Sequence, residues 1–224
     1  MLQGFLPQLL SGLWVTVQLA LAAVCVGLVM GILGAAMKLS PIAPVRWIAE
    51  VYTAIFRGLP ELLTVLLVYF GGTVLLTAIV GDYVEVSAFG AGVAALGITF
   101  GAYATEVFRG AIIAIPKGQI EAAHAYGMSK LLTFRRVVLP QVWRIALPGL
   151  GNLFLVLMKD TALVSVVGLE DLMREADIAS RYTKEPFTFY MAAAVMYLGL
   201  TVVSMAVLHR LEKRANRGQR RAAS

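Results

Sequence analysis

The chain has 224 residues, of which 59% are hydrophobic and only 14% charged. Its mean hydropathy of +0.81 excludes an ordinary soluble globular domain, whose apolar share is about 45–50%. The formal net charge of +6 sits at the edges of apolar runs rather than on a soluble domain, which argues against nucleic-acid binding.

Five runs reach the roughly 20 apolar residues that a spanning helix needs, at about 12–37, 59–80, 87–113, 145–168 and 187–209. They predict an all-α membrane protein with one transmembrane domain over 1–224. Unbroken apolar runs lack the period-two alternation of barrel strands.

No cationic side chain precedes the first run between Met1 and Gln8, and the run is longer than a signal-peptide core, so it is expected to stay as a helix. Cys25, the only cysteine, rules out an intramolecular disulfide. Val24 stands where a lipoprotein cleavage box needs a small residue, so Cys25 is expected to pack within the helix. Gly27 and Gly31 share a face, and Gly34, Ala35 and Ala36 extend the small-residue run, which predicts a close helix contact.

Positive charge sets the expected orientation. The connector after the first run holds Lys38, Arg46 and Arg57. The connector after the third holds Arg109, Lys117, Lys130, Arg135, Arg136 and Arg144, and the tail holds Arg210, Lys213, Arg214, Arg217, Arg220 and Arg221. Together these are 15 of the 19 basic residues, so these segments are expected in the cytoplasm, with the N-terminus outside and the C-terminus inside. The basic tail 210–224 is expected to rest near anionic lipid headgroups, its end 217–221 disordered.

Glu61 follows Pro60 in the first turn of the second span, where two readings stand: an acid favoured by the helix dipole, or a contact to a transported solute. Glu106 and Arg109, three residues apart, predict an intrahelical ion pair. In the polar stretch 117–137, Pro116 suits a helix start, Gly127 a left-handed helix end and Ser129 the cap of a second short helix. That helix is expected to run from Lys130 until Pro140 breaks it. A lone histidine, His124, makes no metal site, and no ligand cluster or metal is expected.

In the fourth span, Lys159 and Asp160 are charges inside a membrane segment, each of which needs a reason. Adjacent helical residues point about 100° apart, so the pair does not neutralise itself. Two readings stand here also. Asp160, with Thr161 and Ser165, contacts an amino or cationic group of a solute while Lys159 meets a carboxylate, or these residues hold neighbouring helices in register.

The spacing Glu121-Ala122-Ala123, three residues, Gly127, nine residues, Val137, one residue, Leu139-Pro140 resembles the EAA motif of ABC-importer permeases. Val137 stands where that family usually has isoleucine. Phe56-Arg57-Gly58-Leu59-Pro60, Tyr103 to Ala111, Ile115-Pro116-Lys117-Gly118-Gln119, Gly149 to Asn152 and Lys159-Asp160-Thr161-Ala162-Leu163 are similar to blocks of the polar amino acid branch. Pro60-Glu61-Leu62, Ala162-Leu163-Val164-Ser165 and Gly168-Leu169-Glu170-Asp171 look most like its Q-type subunits for histidine, lysine, arginine, ornithine and opines. Many other members carry a hydrophobic residue at the position of Glu61, and a carboxylate suits a cationic cargo.

The resemblance implies a type I importer permease of the bacterial inner membrane for basic amino acids. Glu121, Ala122, Ala123, Gly127, Leu139 and Pro140 would couple it to two cytoplasmic ATPases. It also implies a second permease subunit, a heterodimer being favoured over a homodimer, and a periplasmic substrate-binding protein. The chain has no phosphate-binding Gly-x-x-x-x-Gly-Lys loop, so ATP and Mg would belong to the partners and the chain would be no enzyme. The alternatives are a secondary transporter or channel not driven by ATP, and an importer for another polar amino acid or an opine. An intramembrane enzyme would need a nucleophile and base or metal ligands, for which one cysteine and two histidines are poor material.

Overall fold

The computed structural model describes residues 4–216; the predicted tail segment 217–221 lies outside the described residues. Eight helices follow in chain order among them: α1 (Leu6–Lys38), α2 (Ala43–Gly58), α3 (Glu61–Val80), α4 (Ala88–Ile113), α5 (Lys117–Ala125), α6 (Lys130–Val167), α7 (Leu172–Thr183) and α8 (Pro186–Ala215). Five of them, α1, α3, α4, α6 and α8, are long and apolar enough to cross a membrane.

Small residues make the centre. Gly27 of α1 lies against Gly97 and Phe100 of α4, and Gly31 against Ala104, so the two helices run parallel with their backbones in close approach. A methyl group on Gly31 would stand 2.7 Å from the Ala104 Cβ, closer than two carbons tolerate. Thr105, buried in the same seam, donates its hydroxyl to the Gly101 carbonyl at 2.8 Å. Cys25, expected to pack, is instead exposed, because the glycine face that turns toward α4 leaves it on the opposite side.

Several boundaries differ from the sequence reading. α1 starts at Leu6 rather than residue 12, since Pro7 sits in the first turn, where its missing N–H has no partner to lose. The stretch between the first two spans is not a plain connector but the amphipathic helix α2, with Ala49 and Thr53 buried and Trp47, Ile48 and Ile55 exposed. Its Tyr52 hydroxyl donates to the Ile98 carbonyl at 2.7 Å, fixing α2 across the middle of α4.

The fourth span starts at Lys130, well before residue 145. Pro140 does not break it. A π-helical turn over Phe134–Val138 precedes the proline, and the Leu139 N–H bonds the Phe134 carbonyl five residues back. The wider turn makes room for the ring that an α-helix would drive into the carbonyl four residues earlier. The Gln141 side-chain amide donates to the Val137 carbonyl at 2.7 Å, so the ladder stays satisfied around the gap.

At the other end, α6 tightens into a 3₁₀ turn over Thr161–Val167 and stops at Gly168, whose φ of 92° is left-handed. The helix α7 that follows was not expected, because its exposed face is strongly polar. Leu172, Ala176 and Ala179 pack against Leu9 of α1 and Phe189 and Ala193 of α8 in a second small core. Asp171 caps α7, its Oδ1 accepting from the Arg174 N–H at 2.9 Å. Asp171 is wholly buried, and its Oδ2 and the Tyr197 hydroxyl, also buried, lack a hydrogen-bond partner. Burial pushes the Asp171 carboxyl up to about 6, against the backbone N–H bonds that lower it.

Candidate cargo site and coupling loop

Glu61 opens α3 directly after Pro60, whose fixed φ of −59° turns the chain out of α2 and into the span. Asp160 is the last α-helical residue of α6 before its 3₁₀ turn. Far apart in sequence, the two carboxylates line one cavity of about 250 Å³ with Leu96, Thr99, Phe100 and Tyr103 of α4 and Leu153, Val156 and Leu157 of α6. The cavity lies level with the middle of α4. Thr99 is buried and its Oγ1 has no hydrogen-bond partner. Two like charges in an apolar wall call for a cation, and no lysine, arginine or histidine is among these lining residues.

Lys159 goes elsewhere. It lines a separate cavity of about 450 Å³ with Ala162 of α6, Met173 of α7, and Tyr190, Ala193, Ala194 and Tyr197 of α8. The two consecutive residues therefore line different cavities. Thr161 is buried and donates to the Met158 carbonyl at 2.7 Å. Ser165, half-buried, donates to the Ala162 carbonyl at 2.7 Å. Of the predicted solute residues, the structure brings together Glu61 and Asp160, while Lys159, Thr161 and Ser165 are not among the lining of their cavity.

The predicted pair of Glu106 and Arg109 is present, Arg109 Nε standing 3.0 Å from Glu106 Oε2. Sequence reading missed that the same carboxylate also receives Lys38 from the end of α1 and, at 3.9 Å, Arg57 from the last turn of α2. The Arg57 guanidinium carbon lies 5.5 Å from the centre of the Tyr103 ring, a cation–π distance. Tyr103 and Glu106, three residues apart, share a face of α4, which is the signal a helical projection of the sequence would have carried.

The polar loop has a defined elbow. α5 ends as Gly127 takes a φ of 76°, with the Met128 N–H bonded to the Ala123 carbonyl at 3.0 Å, the closing bond of a left-handed cap. His124 Nδ1 donates to the Met128 carbonyl at 3.0 Å across the same turn. Ser129 caps α6, accepting from the Leu132 N–H at 3.3 Å. Gln141 reaches back to Gln119 at 2.7 Å. Ala123 is buried and anchors the elbow, while Glu121, Ala122, Leu139 and Pro140 are exposed. Two apolar side chains project at the tip, Tyr126 at 87% and Leu131 at 76% exposure.

Five helices long and apolar enough to cross a membrane define a multi-pass membrane protein. The chain belongs to the family of binding-protein-dependent transport system inner membrane components, which it matches over residues 23–217. It is 45% identical over 223 residues to the arginine ABC transporter permease protein ArtQ of Haemophilus influenzae, covering 98% of this chain and 99% of that one. It is 42% identical over 226 residues to the histidine/lysine/arginine/ornithine transport system permease protein HisQ of Salmonella typhimurium, covering 99% of each. Among solved structures, an amino acid ABC transporter crystallised with histidines superposes with a TM-score of 0.82 at 39% identity, over 93% of this chain and 94% of that one. The MetNI methionine ABC transporter shares the fold, with a TM-score of 0.76 at 19% identity over 95% and 98% of the two chains. These likenesses fix the chain as a transport permease working with ATP-binding and substrate-binding partners rather than a self-sufficient channel.

Proposed function

We propose that the protein is a permease subunit of an ATP-driven importer for basic amino acids, the arginine, ornithine, lysine and histidine class. The observation that carries the cargo class is the meeting of Glu61 and Asp160 in one cavity whose lining includes no basic residue. A cationic side chain or an α-ammonium group entering there replaces lost hydration with charge-assisted hydrogen bonds. A basic amino acid brings two cationic groups to the two carboxylates, whereas a neutral or acidic one brings only its α-ammonium group. The names of relatives at 42–46% identity, transporters of arginine, histidine, lysine, ornithine and opines, support the same class.

The elbow at Gly127, with Glu121, Ala122, Ala123, Leu139 and Pro140 about it, is the surface on which a cytoplasmic ATPase acts, and Tyr126 and Leu131 are its apolar contacts. Closure of an ATPase pair moves residues 117–137 as a lever and, through the continuous α6, the segment that carries Asp160. The chain works with a second, different permease subunit, two ATPases that hold ATP and Mg, and a periplasmic substrate-binding protein. Its N-terminus is periplasmic and its C-terminus cytoplasmic, as the distribution of basic residues favours.

The test is uptake by the assembled transporter. Asp160→Asn and Glu61→Gln are each expected to lower arginine uptake about tenfold or more, the scale of one lost charge-assisted bond, with the complex still assembled. Arginine kinetics unchanged in both assembled variants would refute the cargo assignment.

A further inference from the structure

A basic amino acid brings two cationic groups and one carboxylate, and the cavity accounts only for the first two. Lys159 does not supply the missing cation, since it lines a different cavity. Arg57 is not itself in the lining, but its guanidinium carbon lies 5.5 Å from the ring of Tyr103, which is part of the cavity wall.

We propose that Arg57 binds the carboxylate of the transported amino acid, opposite the cationic end held by Glu61 and Asp160. This rests on the reading of that cavity as the cargo site. Arg57 is available for the task. Glu106 is already held by Lys38 and by Arg109 at 2.9 Å, whereas Arg57 stands at 3.9 Å with its side chain 44% exposed. Three cations share one carboxylate, and Arg57 is the least engaged of them. A guanidinium presents a planar fork that takes a carboxylate through two parallel bonds, and stacking near Tyr103 orients it.

The chain also places the two ends of the site together. Only Gly58, Leu59 and Pro60 separate Arg57 from Glu61, with Leu59 extended at φ −91° and ψ 143°. On α4, Thr99, Tyr103 and Glu106 follow at spacings of four and three and share a face. Acidic subsite, aromatic ring and cationic cluster therefore succeed one another along a single wall. Binding consists of a swing of Arg57 from Glu106 onto the incoming carboxylate, with Lys38 and Arg109 remaining to balance Glu106.

The experiment measures equilibrium binding of radiolabelled arginine and of agmatine, the same molecule without its carboxylate, to the purified transporter with all its subunits. Arg57→Gln is expected to weaken arginine binding about tenfold or more and to leave agmatine within about twofold, a change smaller than one hydrogen bond. Arg109→Gln removes another cation from the same carboxylate and is expected to leave the arginine-to-agmatine ratio intact. If Arg57→Gln does not assemble, Arg57→Lys, which keeps the charge but loses the fork, must still lower that ratio. An unchanged ratio in the Arg57 variant that assembles, or an equal fall in Arg109→Gln, overturns the proposal. Failure of the underlying site reading shows separately, as Asp160→Asn and Glu61→Gln complexes that bind both ligands like the wild type.

Discussion

Asp160 and Asp171 show how much a single carboxylate depends on where the fold leaves it. Asp160 was legible as a functional candidate because a charge inside an apolar run is costly. Glu61 was a second candidate, but their meeting was not legible, since nothing in the spacing of residues 61 and 160 says that α3 and α6 meet. Thr161 and Ser165, chosen for their hydroxyls, spend them on carbonyls of their own helix, the usual fate of such residues in a membrane. Asp171 belongs instead to the joint of α1, α7 and α8. Its folded-state value of about 6 stands above the ordinary carboxylate value of about 3.9. Between about pH 4 and pH 6 the folded chain holds a proton that the unfolded chain has lost, so stability falls as pH rises through that window. Asp171→Asn keeps a capping oxygen and removes the titration. Thermal unfolding followed from pH 4 to pH 7 is expected to show a declining midpoint for the wild type and a flatter one for the variant; equal slopes would remove Asp171 from that role.

At the scale of elements, local chemistry was readable where one residue type had one conformational use. Gly127 is left-handed and Ser129 is a cap, both from residue identity alone. A proline's exclusion from an α-helix predicts a break at Pro140, but the π-helical turn before it lets the helix continue. The helices α2 and α7 escaped a search for apolar runs because each hides only one narrow face. The elbow carries a prediction of its own. Gly127→Pro cannot adopt a φ of 76°, and Glu121→Lys inverts an exposed charge on α5. Both are expected to lower co-purification of the ATPase and to cut ATP-driven transport severalfold while the permease still inserts. ATPase binding and transport intact in both variants would show that 117–137 is not the coupling element.

For the whole molecule, the central pair α1 and α4 is a small-residue seam, and the cavity lies beside it, walled by α4 and α6 and closed by the start of α3. α3 and α8 keep most of their apolar surface outward, with Val74 at 70%, Ile79 at 71% and Leu198 at 62% exposure, which leaves room for lipid and for a second permease subunit. The five-span architecture was plain from composition, because a bilayer demands long apolar helices and little else looks like them. The packing order was not, because the spans are mostly apolar and hydropathy does not distinguish a lipid face from a protein face. The central claim concerns the whole assembly: a cation-selective path whose energy arrives through the loop. It is tested most directly by reconstituting the permease pair with its ATPase and substrate-binding protein in proteoliposomes and measuring radiolabelled arginine and glutamate uptake with and without ATP. Arginine uptake that requires ATP, with glutamate excluded, is the expected result; arginine flux independent of ATP, or glutamate carried equally well, would contradict the account.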